Sequence, residues 1–189
     1  MLSAIRFNAL LLCLIFCVAS CKKENSSPFP TPLPAATQVG AHTFGCKING
    51  KAWVPDGVGG FAQIEAISGG YVGSSISPVR NSVFISTYRS DRTKIDLHIQ
   101  AVNQPGVYQL DQRTGIIYAE LRPLNYGAYF PDTGKAFVTN PTYTGTVTIT
   151  RADTVNFIVS GTFEFTVYDP ASKQTIRITD GRFDIDSKR

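Results

Sequence analysis

The chain is short of the residues that usually carry chemistry. Its 189 residues include two histidines, four cysteines, one methionine and one tryptophan, and only 17% are charged. A disordered polyampholyte or a coiled coil needs far more charge than that. The net charge of +4 is small and evenly spread, so no basic face is available for nucleic acid. G-x-S-x-G, H-E-x-x-H, a Walker loop and paired zinc cysteines are all missing, which removes the common signatures of hydrolases, metalloproteases and nucleotide-binding enzymes. No cofactor or metal site is expected.

No apolar run is long enough to span a bilayer. The longest, Ala9 to Ala19, has eleven residues and follows a single positive charge, Arg6; a membrane helix needs about 20. That length suits the hydrophobic region of an export signal. The run ends in Val18-Ala19-Ser20-Cys21, which resembles the lipobox of bacterial lipoproteins. The resemblance implies cleavage before Cys21, acylation of Cys21 and a membrane partner reached through that lipid. Each buried methylene of such chains contributes about 0.8 kcal/mol to anchoring. Residues 1–20 are then a signal, and Cys13 and Cys17 leave with it. Only Cys46 remains in the soluble part, so no internal disulfide is possible there. On an alternating strand Cys46 is expected to be buried.

Residues 21–40 read as the lipidated cysteine and a tether, with Pro28, Pro30, Pro32 and Pro34 alternating with other residues. Such a segment favours extended polyproline II and builds no core. At about 3.1 Å per residue it reaches roughly 60 Å from the lipid. His42 sits at its edge, where nothing in the sequence fixes its geometry.

Residues 41–189 show no sustained 3.6-residue period. They show two-residue alternation, rich in β-branched and aromatic side chains. Phe44 to Ile48 and Lys51 to Val54 flank Asn49-Gly50, the strongest short hairpin signal, because both turn positions need positive φ. Ser82–Tyr88, Lys94–Gln100 and Gly106–Leu110 follow as strands, with Ile116–Leu121 and Lys135–Thr139 as weaker ones. Gly145–Thr150, Phe157–Tyr168 and Thr175–Ile178 come next, then a turn at Asp180-Gly181 and a last strand at Phe183–Ile185. The glycine-rich Ser68–Ser75 reads as a flexible loop. The expectation is all-β: a single antiparallel β-sandwich or barrel of about nine or ten strands, with Trp53 packed in the core.

Three segments carry a further resemblance. Phe44-Gly45-Cys46-Lys47-Ile48-Asn49-Gly50-Lys51-Ala52-Trp53, Pro105 to Leu110, and Ile158-Val159-Ser160-Gly161-Thr162-Phe163-Glu164-Phe165 with Ile178-Thr179-Asp180-Gly181-Arg182-Phe183-Asp184 are similar to motifs of an uncharacterised family of small all-β lipoproteins of Bacteroidota. The resemblance spans most of residues 44–185 and implies fold and an outer-membrane location, periplasmic or surface-facing. It assigns no residue a chemical role.

Candidate chemistry is sparse. His98 shares a strand face with Asp96 and Gln100, which reads as a polar, solvated face. Asp184, Asp186, Glu120 and Glu164 are the carboxylates from which a glycosidase pair could be drawn, and Asp180, Asp184 and Asp186 are possible calcium ligands. The most suggestive stretch is Asn125 to Gly134. It sets Tyr126, Tyr129 and Phe130 beside Arg122 and Asp132, aromatic faces next to charges, as sugar or peptide recognition requires. Alternatively Tyr126 and Tyr129 merely cover the end of the core. The expected function is a non-catalytic envelope lipoprotein that binds a glycan or an envelope protein. The alternatives are a lipocalin-like carrier of a small apolar ligand, which needs a hollow interior, and a glycan-active hydrolase.

Overall fold

The computed structural model describes residues 32–60, 63–73, 77–116, 123–132 and 134–189. Eleven strands and no helix occur among them: β1 (Thr43–Ile48), β2 (Lys51–Trp53), β3 (Ile67–Tyr71), β4 (Val83–Tyr88), β5 (Lys94–Ile99), β6 (Gly106–Gln109), β7 (Tyr126–Phe130), β8 (Phe137–Val138), β9 (Gly145–Asp153), β10 (Ile158–Asp169) and β11 (Gln174–Asp186). They form two antiparallel sheets, one of six strands in the order β2-β1-β11-β10-β9-β6 and one of five in the order β3-β4-β5-β7-β8. The protein is a β-sandwich.

The first hairpin forms as its turn residues require. Asn49 (φ 48°) and Gly50 (φ 81°) join β1 to β2 with Ile48 opposite Lys51. Between the sheets, alternate residues bury Val83, Ile85, Ile95, Leu97, Val147, Ile149 and Ile185. Phe44, Phe163 and Phe183 form an aromatic row, with ring centroids 5.0 Å and 6.3 Å apart on either side of Phe163. Trp53 closes one end of this row edge-on to Phe44, and its indole N–H donates to the Thr93 hydroxyl at 2.7 Å. Cys46 is fully buried, and burial pushes its thiol up to about 12.

Two local expectations are corrected. Asp180-Gly181 is not a turn but a bulge inside the long strand β11: Phe163 pairs with Gly181 and Phe165 with Ile178, so one residue is extra. Asp180 absorbs it at φ 52°, and β11 runs on as a central strand between β1 and β10. Ser68 to Tyr71, expected as loop, belongs to edge strand β3. Gly69 stands at φ 102° with room for no side chain, since a Cβ there would lie 2.0 Å from the Phe84 carbonyl oxygen. The glycines that weaken the strand signal are what let β3 approach its neighbours, Gly69 against β4 and Gly70 against Ser187. Gly69→Ala is therefore expected to cost about 1–3 kcal/mol and to release β3 first, read as lost amide protection at residues 67–71 in hydrogen exchange. Of the weaker strands, Lys135–Thr139 shrinks to the two residues of β8, and most of Ile116–Leu121 lies outside the described residues.

The C-terminal end of the expected tether is also part of the domain. Gly40 packs on the Ile158 side chain, and Pro34 lies against Gly45. Residues 33–41 thus form a strap over the outer face of the six-stranded sheet. What pins it is Asp184, whose side chain points outward from β11 yet is fully buried. One of its oxygens accepts from the Thr37 hydroxyl (2.6 Å) and the Val39 and Ala41 amides (3.0 Å each); the other accepts from the Gly40 amide (2.9 Å) and the Ser160 hydroxyl (2.7 Å).

Candidate functional site

The outer face of the five-stranded sheet is built from three rungs of side chains. Strand register aligns Tyr88, Lys94 and Phe130 in the first; Ser68, Ser86, Asp96 and Ala128 in the second; and Gly70, Phe84, His98 and Tyr126 in the third. Successive same-face residues along a strand stand about 6.6 Å apart, so the small second rung forms a slot between two rungs of larger, mostly aromatic groups. Hydroxyls and a carboxylate make its floor.

His98 was expected on a solvated face; the structure corrects this. Asp96 is 2% exposed and His98 wholly buried. Alternation correctly put both residues on the outer face, but this face is not bare. Val72, Ile116, Phe130 and Val138 pack over Phe84, Tyr126 and Ala128 as a second apolar cluster. The residue pattern of a strand says which face a side chain takes and nothing about what later covers that face.

Asp96 is only half satisfied. Its Oδ2 lies 2.9 Å from Lys94 Nζ, while its buried Oδ1 has no hydrogen-bond partner. Burial pushes the carboxyl above its ordinary range, against the opposing pull of Lys94 and Ser86. The Lys94 ammonium also sits 4.6 Å from the centre of the Phe130 ring. His98 Nδ1 meets the Leu124 carbonyl oxygen at 3.0 Å; a carbonyl only accepts, so Nδ1 carries the proton. Burial shifts His98 downward, leaving a neutral ring whose Nε2 lone pair, also buried, has no donor. Two acceptors without donors thus stand on neighbouring rungs. A groove of about 460 Å³ opens beside the first two rungs, between Glu65, Ser68, Ser86, Tyr88 and Lys94.

The expected recognition residues are distributed unequally around this face. Tyr126 is fully buried, its ring tilted against that of His98 at 5.6 Å, so it walls the third rung and offers no ring to solvent. Tyr129 points to the opposite face and packs on the main core; the segment is strand β7, and alternation separates the two tyrosines. Phe130 is half-buried in the first rung. Asp132 is exposed, 3.6 Å from Arg92. Arg122 and Glu120 lie outside the described residues. Asp96, Lys94 and Ser86 were missed as a group; their only sequence signal is that all three occupy polar positions of adjacent strands.

The remaining acids do other things. Asp184 is saturated by its five donors, and Glu164 is exposed on the six-stranded sheet. His42, expected to be unfixed, stands at φ 56°, with Nε2 3.4 Å from the Ile67 carbonyl oxygen. Among the described residues no three His, Cys, Asp or Glu side chains gather as a metal site, so Asp180, Asp184 and Asp186 do not form the calcium cluster considered from sequence. No helix among the described residues is long and apolar enough to cross a membrane.

A family model described as a domain of unknown function (DUF6252) matches residues 74–184. That span omits β1, β2, β3 and the strap, although β1 pairs along β11 from Thr43 to Ile48. No curated protein and no solved structure matches the chain.

Proposed function

We propose that this chain, which belongs to the DUF6252 family, is a lipid-anchored, non-catalytic binding module of the cell envelope. Its ligand binds at the slot on the outer face of the five-stranded sheet. The observation that carries this reading is Asp96, a buried carboxylate oxygen without a partner beside an open groove. Such a group costs free energy in the unliganded fold, and a ligand that supplies a donor recovers it. The carrier reading has less support, because Phe44, Phe163 and Phe183 fill the space between the sheets where a hollow interior would be needed. The hydrolase reading has less support as well, since Asp184 is engaged on both oxygens and leaves Glu164, on the same six-stranded sheet, without it as a free carboxylate partner.

Two measurements test the proposal. For the anchor, the Cys21 peptide of the mature chain, analysed by mass spectrometry, is expected to carry acyl chains. Cys21→Ala is expected to abolish acylation and release the protein from membranes; an unmodified Cys21 peptide rejects the anchor. For binding, the full chain exposed to an extract of its source cells is expected to gain a stoichiometric mass in native spectrometry, lost on denaturation. A bare mass rejects the binding reading.

A further inference from the structure

We infer that the slot takes a neutral sugar unit, one of whose hydroxyls donates to Asp96 Oδ1. This rests on the slot being the binding face and names the class of its ligand. The slot excludes some chemistries and favours others. An anion is disfavoured, because the unpartnered atoms at the face, Asp96 Oδ1 and His98 Nε2, are both acceptors. A strong cation is disfavoured at the groove because Lys94 already stands between it and Asp96. Glu65 and Lys94, one of each sign, line the groove and call for no net charge on the ligand. What remains is an uncharged molecule with hydroxyl donors for the carboxylate and acceptors for the Lys94 ammonium and for Ser68 and Ser86. Tyr88 in the groove, with the half-buried Phe130 ring on the same rung, supplies the apolar ring face that a sugar's C–H side packs against. Lys94 is a long side chain about three-tenths exposed and already lies against the Phe130 ring, so turning its ammonium out into the solvent opens the carboxylate to a hydroxyl.

The test uses saturation-transfer NMR on the full chain with glucose, galactose and N-acetylglucosamine and their disaccharides, alongside ethanolamine, inorganic phosphate and zinc ion. At least one sugar is expected to bind. Asp96→Asn, which keeps the side-chain shape and removes the charge, is expected to weaken it tenfold or more. Ser86→Ala is expected to weaken it by at least threefold, and this smaller change decides the matter if Asp96→Asn misfolds. Glu164→Gln, on the other sheet, is expected to leave binding unchanged. Sugar binding indifferent to Asp96→Asn and Ser86→Ala overturns the site. Binding of ethanolamine, phosphate or zinc that is lost in these variants, with no sugar bound, overturns the ligand class and keeps the slot as the binding face. No binding by any probe overturns the sugar inference, and only a bare mass after exposure to the cell extract removes the binding reading with it.

Discussion

Asp184→Ala is expected to destabilise the domain by about 3 kcal/mol or more, because the mutation strands buried donors as well as removing an acceptor. The Thr37 and Ser160 hydroxyls and the Val39, Gly40 and Ala41 amides all lose this acceptor; Ser160 is left fully buried without it, and the part-buried strap donors add to the loss. The midpoint of thermal unfolding should fall by about 6–12 °C for a chain of this size. The amides of residues 39–41 should exchange freely in the variant even below that midpoint. An unchanged midpoint would mean that the strap contributes nothing to folding.

The same carboxylate gives a pH dependence of known sign. Burial by itself raises the Asp184 carboxyl. The hydroxyls of Thr37 and Ser160 and the amides of Ala41 and Gly40 outweigh it and hold the group down to about 2. A group whose folded value lies below its unfolded value stabilises the fold above the unfolded value, about 3.9. That stability is lost as pH falls from about 4 through 2, and amounts to roughly 2.5 kcal/mol in all. Denaturant titrations at pH 6 and pH 2.5 should show the drop in the native chain and a much smaller one in Asp184→Ala.

Phe163→Ala is expected to be at least as damaging, about 3–5 kcal/mol. The Phe163 ring lies between Phe44 and Phe183 and also stacks 6.2 Å from Phe165, so its removal empties the middle of an aromatic row drawn from three adjacent strands of one sheet. The neighbouring rings, Phe44 and Phe183, are held by the paired strands β1 and β11, which limits how far they can close over the gap. Phe163→Leu should recover most of the loss, because it restores apolar volume without the ring contacts. Urea denaturation of the two variants separates these outcomes: equal midpoints would show that ring stacking, and not filled volume, holds the row together.

How far the sequence could be read depended on the range of the interaction. The β1–β2 hairpin was legible because Asn49-Gly50 dictates its own backbone, and β9 and β10 were legible because Val147, Ile149, Phe163 and Phe165 alternate with threonine and glutamate. β3 was not, since Gly69 serves a contact with β4 and Gly70 one with Ser187 near the C-terminus, and neither leaves a side-chain pattern of its own. The Asp180 bulge was mistaken for a turn because positive φ and a following glycine are common to both. The burial of Asp184, His98 and Asp96 was out of reach for one shared reason. Each sits on the outer face of a sheet where alternation demands polarity; Asp184 is covered by the strap and His98 meets the irregular segment at Leu124, while Asp96 is enclosed by its neighbours on the sheet, Lys94 among them, and all of these are tertiary matters. For Asp184 the donors Thr37 to Ala41 lie more than 140 positions away in the chain. Tyr126, Tyr129 and Phe130 were legible as a suggestive cluster, but only the strand geometry of β7 shows that Tyr129 turns away from the other two.

The strap also determines how the domain bears a load. A pull on the chain from its N-terminal side passes first through the contacts of Pro34 with Gly45 and Arg182 and then meets the set of hydrogen bonds converging on Asp184. From there the tension passes into β11, which is flanked by β1 and β10 along most of its length, so it is spread over two strand interfaces at once. Without the clasp the same pull would arrive directly at Thr43 and could peel β1 from one end, one bond at a time. With it, tension along the chain is borne by a cluster of short, charge-assisted bonds converging on one carboxylate, and the hairpin behind it stays unloaded until that cluster gives way.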